Sequence, residues 1–296
     1  MVAVYISRKG FSIMIDKDSV QKVKDYYNNV QSSYNSFWMN KRNLAMHLGF
    51  WDKNTKSQHD ALINENRYIA NALNINQNDI VLDAGCGVGG TAIWIAEEYG
   101  ARVSGVSIME NQIELAKKYT KDRGVDDLVD FRVKNYIETG FPDESFTKIY
   151  AMESVCHAEN KEEFFAEAYR LLKKDGELAF IDEFVTKDKL NKNDQKLLND
   201  WLVGWAVPNM LTAKEFKDGL KRMGFKNIKD SNVTKKVIKS SSKIQMVGLL
   251  FYPYDLPMSK LGIVPIETYN STIACIRQKT LFTKNIVDFR LITCQK

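Results

Sequence analysis

The sequence predicts an α/β fold: a doubly wound, mostly parallel, Rossmann-like sheet, with a helical segment before it and a cap after it. Three observations predict this. Short apolar runs alternate with amphipathic helices through the middle of the chain, at a spacing that suits parallel strands buried on both faces. The first run leads directly into a glycine-rich turn and a new helix. With 44% apolar and 27% charged residues, the 296-residue chain can bury a full core. The same composition excludes disorder, collagen-like repetition and a disulfide-stapled miniprotein. The net charge of +5 is a mild bias towards anionic partners and no nucleic-acid footprint.

In chain order, Val20, Val23, Tyr27, Val30 and Tyr34 recur at three- and four-residue steps and predict a first helix. A second runs from about His59 to Leu73, with Leu62, Ile69 and Leu73 on one side. Strands follow at Ile80 to Leu82, Val103 to Val106, Val129 to Val133, Lys148 to Met152 and Leu178 to Val185. Helices lie between them at Thr91 to Tyr99, Asn111 to Thr120 and Lys161 to Leu172. A polar helix then spans Thr186 to about Pro208, with Trp201, Leu202 and Trp205 on its apolar side. Thr212 and Glu215 form a capping box that starts another helix, which Gly224 ends. A last run, Ile286 to Cys294, is expected to close the sheet edge. Residues 235–284 give no clear period. The implied division is 1–75 for the helical segment, 76–186 for the core, and 187–296 for cap helices plus closing strands.

Few residues point to metals or disulfides. Cys86, Cys156, Cys275 and Cys294 form no C-x-x-C pair, and His47, His59 and His157 lack the spacing of helical metal ligands. No metal is expected, and a reducing cytoplasmic location suits the cysteines. The longest apolar run, Met246 to Tyr252, is too short to span a bilayer, and no leader is read at the N-terminus.

The most informative stretch is Asp83-Ala84-Gly85-Cys86-Gly87-Val88-Gly89-Gly90. Here a strand runs into a turn whose glycines remove side chains that would block a ligand, and backbone N–H groups gather at a helix N-terminus. Gly85, Gly87 and Gly90 also satisfy the G-x-G-x-x-G dinucleotide fingerprint, so an NAD(P)-dependent oxidoreductase is one reading. Such a site needs an acid for the ribose about 20 residues on. Ser107 occupies that place. Asp83, two residues before the first glycine, suits a cationic amino-acid ligand better than a pyrophosphate.

These residues resemble motif I of the class I S-adenosyl-L-methionine (SAM)-dependent methyltransferases, D/E-x-G-x-G. Gly105-Val106-Ser107 through Gln112 resembles a segment of the tocopherol and sterol C-methyltransferase branch, which also includes cyclopropane-fatty-acid synthases. Glu153-Ser154-Val155-Cys156-His157-Ala158 is similar to the E-A-T-C-H-A of sterol methyltransferases, and His47-Leu48-Gly49-Phe50-Trp51 to the H-x-G-Y-[YW] of tocopherol-type enzymes. Trp205 to Pro208 and Phe289 to Cys294 also resemble later segments of that branch. The resemblance runs from about Asp25 to Val233 and returns at the final strand.

The resemblance implies SAM as cofactor, with S-adenosyl-L-homocysteine as product. It implies that Asp83, Gly85, Cys86, Gly87 and Gly89 hold the methionine part, and that Ser107 and Gln112 serve the ribose in place of the acid. Asn135 and Tyr136 would lie near the adenine, with a turn cap as the competing reading, and Met152 near the adenine or sulfonium, with core packing as an equal one. Glu153 and His157, at the end of the fourth strand, are the catalytic candidates. Imidazole near neutral pKa suits proton removal from a carbon or phenolic acceptor, and the carboxylate can take a proton or stabilise a cation. Cys156 stands where cyclopropane synthases usually carry a second glutamate, which argues against cyclopropanation.

The dense aromatic set Tyr26, Tyr27, Tyr34, Phe37, Trp38, Phe50 and Trp51 precedes the core, and in the family this segment folds over the cofactor as a lid. Tyr34, His47, Trp51 and Trp205 are therefore candidates for the acceptor cavity, with ordinary core packing as the competing reading. The expected acceptor is small or lipophilic, preferably a prenylated ring, sterol or isoprenoid methylated on carbon. A small amine, of the glycine, sarcosine or phosphobase type, is the alternative within the family, and a non-catalytic SAM-binding module lies outside it. Lys187 to Lys192 and Lys235-Lys236 read as solvated charge, with at most a peripheral pull towards an anionic membrane surface.

Overall fold

The computed structural model describes residues 17–38, 40 and 42–296; for 17–19 and 31–37 it describes the backbone alone. Helix α1 (Lys17–Phe37) and helix α2 (Gln58–Ala72) precede the sheet. Ser57 starts α2 with a capping box shared with Asp60. The strands are β1 (Ile80–Ala84), β2 (Arg102–Ser107), β3 (Val129–Val133), β4 (Phe146–Met152), β5 (Leu172–Val185), β6 (Lys226–Asn232) and β7 (Val287–Gln295). Between them run α3 (Gly90–Tyr99), α4 (Glu110–Arg123), α5 (Lys161–Leu171), α6 (Lys192–Gly204), α7 (Ala213–Met223), α8 (Thr234–Lys260) and α9 (Ile266–Thr283).

The strand order is β3-β2-β1-β4-β5-β7-β6. Strands β1 to β5 pair in parallel, and β7 runs antiparallel to both β5 and β6. Alternation along the strands divides the core between the two faces. Val81, Tyr150, Met152, Ala179 and Ile181 join one cluster. Leu82, Ile149, Ala151, Leu178 and Phe180 join the other. On that second face Phe165 and Phe180 each meet Phe216 edge-on at 4.8 Å, which ties α5 and α7 to the sheet.

Two expectations need correcting. The last strand does not close the edge: β7 inserts between β5 and β6, and β6 is the edge. Strand β6 reads Lys-Asn-Ile-Lys-Asp-Ser-Asn and is largely exposed, so it carries no apolar run that a sequence reading could find. The polar helix is also shorter than expected, because Asn191 caps α6 through the N–H groups of Asn193 and Asp194. Residues 235–284, which gave no period, form the long hairpin α8–α9. Gly248 lets these helices approach closely: a Cβ there would lie 2.9 Å from the Cβ of Cys275. Among the described residues, no helix is long and apolar enough to cross a membrane.

Candidate active site

The glycine turn sits where β1 ends. The N–H groups of Gly85 and Cys86 both donate to the carbonyl of Val106, at 3.0 Å, so the turn is pinned against β2. Gly85 has φ +98°, and a Cβ there would fall 2.4 Å from that of Ser154. Gly89, at φ +83°, would strike the Phe131 ring at 2.4 Å. Both positions therefore require glycine, for backbone conformation and for space.

Above this turn lies a cavity of about 230 Å³, lined by the carboxyl ends of β1, β2 and β4, the loop after β3, and α1. It gathers Asp83, Gly85, Cys86, Gly87, Ser107, Gln112, Asn135, Tyr136 and Met152, nine of the ten expected cofactor residues. The tenth, Gly89, does not line the cavity; it caps α3 and packs on Phe131, and Gly90 lines the wall instead. Ser107 and Gln112 are joined by a hydrogen bond of 3.1 Å, and both are buried. Asn135 accepts from the N–H of Ile137, so it shapes its own turn while facing the cavity. The Tyr136 hydroxyl donates to the carbonyl of Ser154 at 3.1 Å.

Asp83 is buried, and burial pushes its carboxyl up to about 7. The Tyr150 hydroxyl, also buried, makes no hydrogen bond of normal geometry and lies against the same carboxyl. A buried acid at the floor of a glycine turn suits a bound ammonium group, which would draw the carboxyl into its ionised form. The donor set therefore fits the amino-acid end of SAM.

A second cavity, of about 150 Å³, adjoins the first through Tyr27, Met46, His47, Glu153 and His157. Its walls are mostly apolar: Tyr26, Val30, Trp38, Trp205 and Val207, with Ile244 and Val247 of α8. Tyr26 meets Trp205 edge-on at 6.2 Å. Trp205 and His47 both line this cavity. Trp51 does not. Its indole N–H donates to Ser240 Oγ at 3.0 Å, and Lys239 Nζ sits 3.7 Å from the ring centroid, so the ring docks on α8 and lines neither cavity. The side chains of Tyr34 and Phe37 lie outside the described residues.

Glu153 and His157 stand at the junction. His157 Nδ1 faces the carbonyl of Ala206 at 3.2 Å, and a carbonyl only accepts, so this nitrogen carries the proton. Nε2 then accepts from the Tyr27 hydroxyl at 3.1 Å. Burial lowers the imidazole to about 4, and the near-neutral pKa expected from sequence does not hold. His157 is a neutral group that orients Tyr27.

Glu153 has φ +48°, a strained conformation for a non-glycine residue, and its Oε1 accepts from the Leu48 N–H at 2.7 Å. Beside it lies Glu65 of α2, fully buried, with its Oε2 accepting from His47 Nδ1 at 3.0 Å and its Oε1 without a partner. Ligand atoms of His47, Glu65 and Glu153 all lie within 4.8 Å of one another. Burial raises both carboxyls well above the usual carboxylate range, and at Glu153 the charge of Glu65 adds to the rise. Asp182 and Glu183 of β5 extend this acidic floor; Glu183 accepts from Gln278 Nε2 at 3.1 Å. Sequence reasoning missed Glu65. The signal was available: it shares a helix face with Leu62 and Ile69, where an unpaired charge is costly.

Residues 82–180 match the family described as a methyltransferase domain. A sterol 24-C-methyltransferase of Eremothecium gossypii is 31% identical over 218 residues, covering 73% of this chain and 57% of the relative. The chain belongs to the class I SAM-dependent methyltransferase family. Within it, this family member lies on the sterol C-methyltransferase branch. It spans little more than half the length of the first curated relatives it matches. Among solved structures, a cyclopropane synthase of Mycobacterium tuberculosis superposes with a TM-score of 0.78 at 15% identity, over 94% of this chain and 98% of that one. A geranyl diphosphate C-methyltransferase of Streptomyces coelicolor, solved with Mg²⁺, geranyl diphosphate and S-adenosyl-L-homocysteine, gives 0.72 at 15% identity, over 95% and 98%. These likenesses at low identity carry the fold.

Proposed function

We propose that the chain transfers a methyl group from SAM to a carbon of a lipophilic sterol or isoprenoid acceptor. The observation that carries this is the second cavity: apolar and aromatic-walled, it meets the polar first cavity at Glu153 and His157. The first would hold SAM, with Asp83 on its ammonium group, Ser107 and Gln112 towards the ribose, and Asn135, Tyr136 and Met152 towards the adenine and sulfonium. Bound there, SAM supplies an electrophilic methyl on a cationic sulfur. Segment 1–75 then acts as a lid through Val20, Val23 and Tyr27 of α1, which line the first cavity, while 76–186 binds the cofactor and 187–296 shares the acceptor walls with Tyr26, Val30 and Trp38.

The chain's own groups match the demands of C-methylation. Alignment of acceptor and methyl comes from the apolar walls and from the Tyr27–His157 pair. A carbon acceptor that gains a methyl group becomes cationic and must lose a proton. A cation formed at the junction would draw the nearby buried carboxyls of Glu153, Glu65 and Glu183 towards their ionised forms, and these would in turn stabilise it. Glu153, which lines both cavities and whose burial makes its carboxylate more basic than usual, is placed to accept the proton.

Incubation with labelled SAM and a panel of sterol, isoprenoid, phenolic and small-amine acceptors tests the proposal. Label in sterol or isoprenoid carbon supports it, and label confined to amines overturns the acceptor class. SAM binding without transfer to any acceptor would leave a binding module.

A further inference from the structure

Helix α8 presents apolar side chains where a surface helix ordinarily presents charge. Leu249, Leu250 and Tyr254 on its outer face, and Leu261, Ile263 and Ile266 around the turn into α9, are between 55% and 73% exposed. Of the nine exposed large hydrophobic residues among the described ones, seven belong to this hairpin. Between Ile244 and Ile266 the only charged residues are Asp255, which is buried and accepts from Thr272 Oγ1, and the exposed Lys260. The preceding stretch of α8 carries Lys235, Lys236, Lys239 and Lys243 and no acid. Lys239 and Lys243 lie over the Trp51 ring, at 3.7 and 4.9 Å.

We propose that the tip of the α8–α9 hairpin docks on an anionic lipid bilayer, inserting this apolar face at the headgroup boundary with the lysines against the lipid phosphates. An apolar helix face sinks roughly 5–10 Å into that boundary. Lys243 is seven residues before Leu250, about 10 Å back along the helix axis, which leaves its ammonium group at headgroup level. A second copy of the chain is the competing occupant. The lysine stretch beside the apolar face, with no acid in it, favours an anionic surface over a second copy of the same basic helix. Ile244 and Val247, from the same turns of α8, wall the second cavity on the helix's inner side, so docking sets that cavity beside the lipid. Delivery of an acceptor by this route rests on the lipophilic-acceptor reading, whereas docking does not.

The test is co-sedimentation of the full chain with vesicles of phosphatidylcholine alone and of phosphatidylcholine mixed with phosphatidylserine, read without SAM or acceptor. The wild type should pellet with the mixed vesicles, less with the neutral ones, and less again as salt is added. The double variant L249E/L250E should lose about tenfold or more in bound fraction. Val133→Glu, at an exposed apolar site on the far edge strand β3, should bind as the wild type does. Three results would overturn the proposal: a wild type that stays in the supernatant with both vesicles, a V133E loss as large as that of the double variant, or a lipid-free dimer that L249E/L250E abolishes.

Discussion

Binding of SAM should release a proton from Asp83 at mildly acidic pH, and this is the sharpest consequence of the site. Burial holds the carboxyl near 7, and the titratable groups facing it are the Tyr150 hydroxyl, the His47 imidazole and the Cys86 thiol. An ammonium ligand would return it to the ionised form, towards the ordinary carboxylate value of about 4. With a pKa of about 7, roughly one molecule in ten is ionised at pH 6 and nine in ten at pH 8. Apparent affinity should therefore fall about tenfold from pH 8 to pH 6, and about a hundredfold by pH 5. The folded-state pKa lies above the unfolded one, so the free protein has the opposite dependence: Asp83 contributes stability at low pH that is lost as pH rises towards 7. Titration calorimetry in two buffers of different ionisation enthalpy measures the proton count directly. It should approach one near pH 6 and vanish near pH 8, and Asp83→Asn should abolish the pH dependence along with most of the affinity. A SAM affinity that is flat between pH 5 and pH 8 would refute the reasoning, as would D83N retaining the wild-type slope.

Other parts of the site give separate outcomes. Glu153→Gln should leave the melting temperature equal or higher, because an amide removes a buried acid but keeps an acceptor for the Leu48 N–H, while single-turnover methyl transfer slows by about 10²–10⁴-fold; a rate within twofold of wild type would remove Glu153 as proton acceptor. Gly89→Ala forces a Cβ into the Phe131 ring at a left-handed φ and should cost about 2–4 kcal/mol in urea unfolding. Trp51→Ala should cost roughly 1–3 kcal/mol by undocking the loop after α1 from α8, with KM for SAM and acceptor unchanged; a selective rise in acceptor KM would return Trp51 to the cavity.

Elements whose information is local were legible in the sequence. The alternation of β1 to β5 with α3 to α5 was visible because fully buried parallel strands read as apolar runs. The capping box at Thr212 and Glu215 was visible because both partners lie within one turn. Strand β6 was not, since an exposed edge strand held by pairing with β7 needs no apolar pattern. Helix α8 was not, because its outward apolar face and Pro253 and Pro257 blur the helical period. The features that hid it are the ones that suggest lipid docking.

The sequence by itself determined the layered α/β class, the glycine turn with Asp83 before it, and the cluster of residues at the end of β4. Those follow from short-range chemistry: glycine where a Cβ cannot fit, apolar side chains where both faces are covered. Only the tertiary structure decided that Glu65 of α2 lies beside Glu153, that His157 is a neutral partner of Tyr27, and that Trp51 faces α8 and neither cavity. Each of those depends on which distant segments the packed core brings together. Burial there shifts pKa values in a direction that residue type alone does not give.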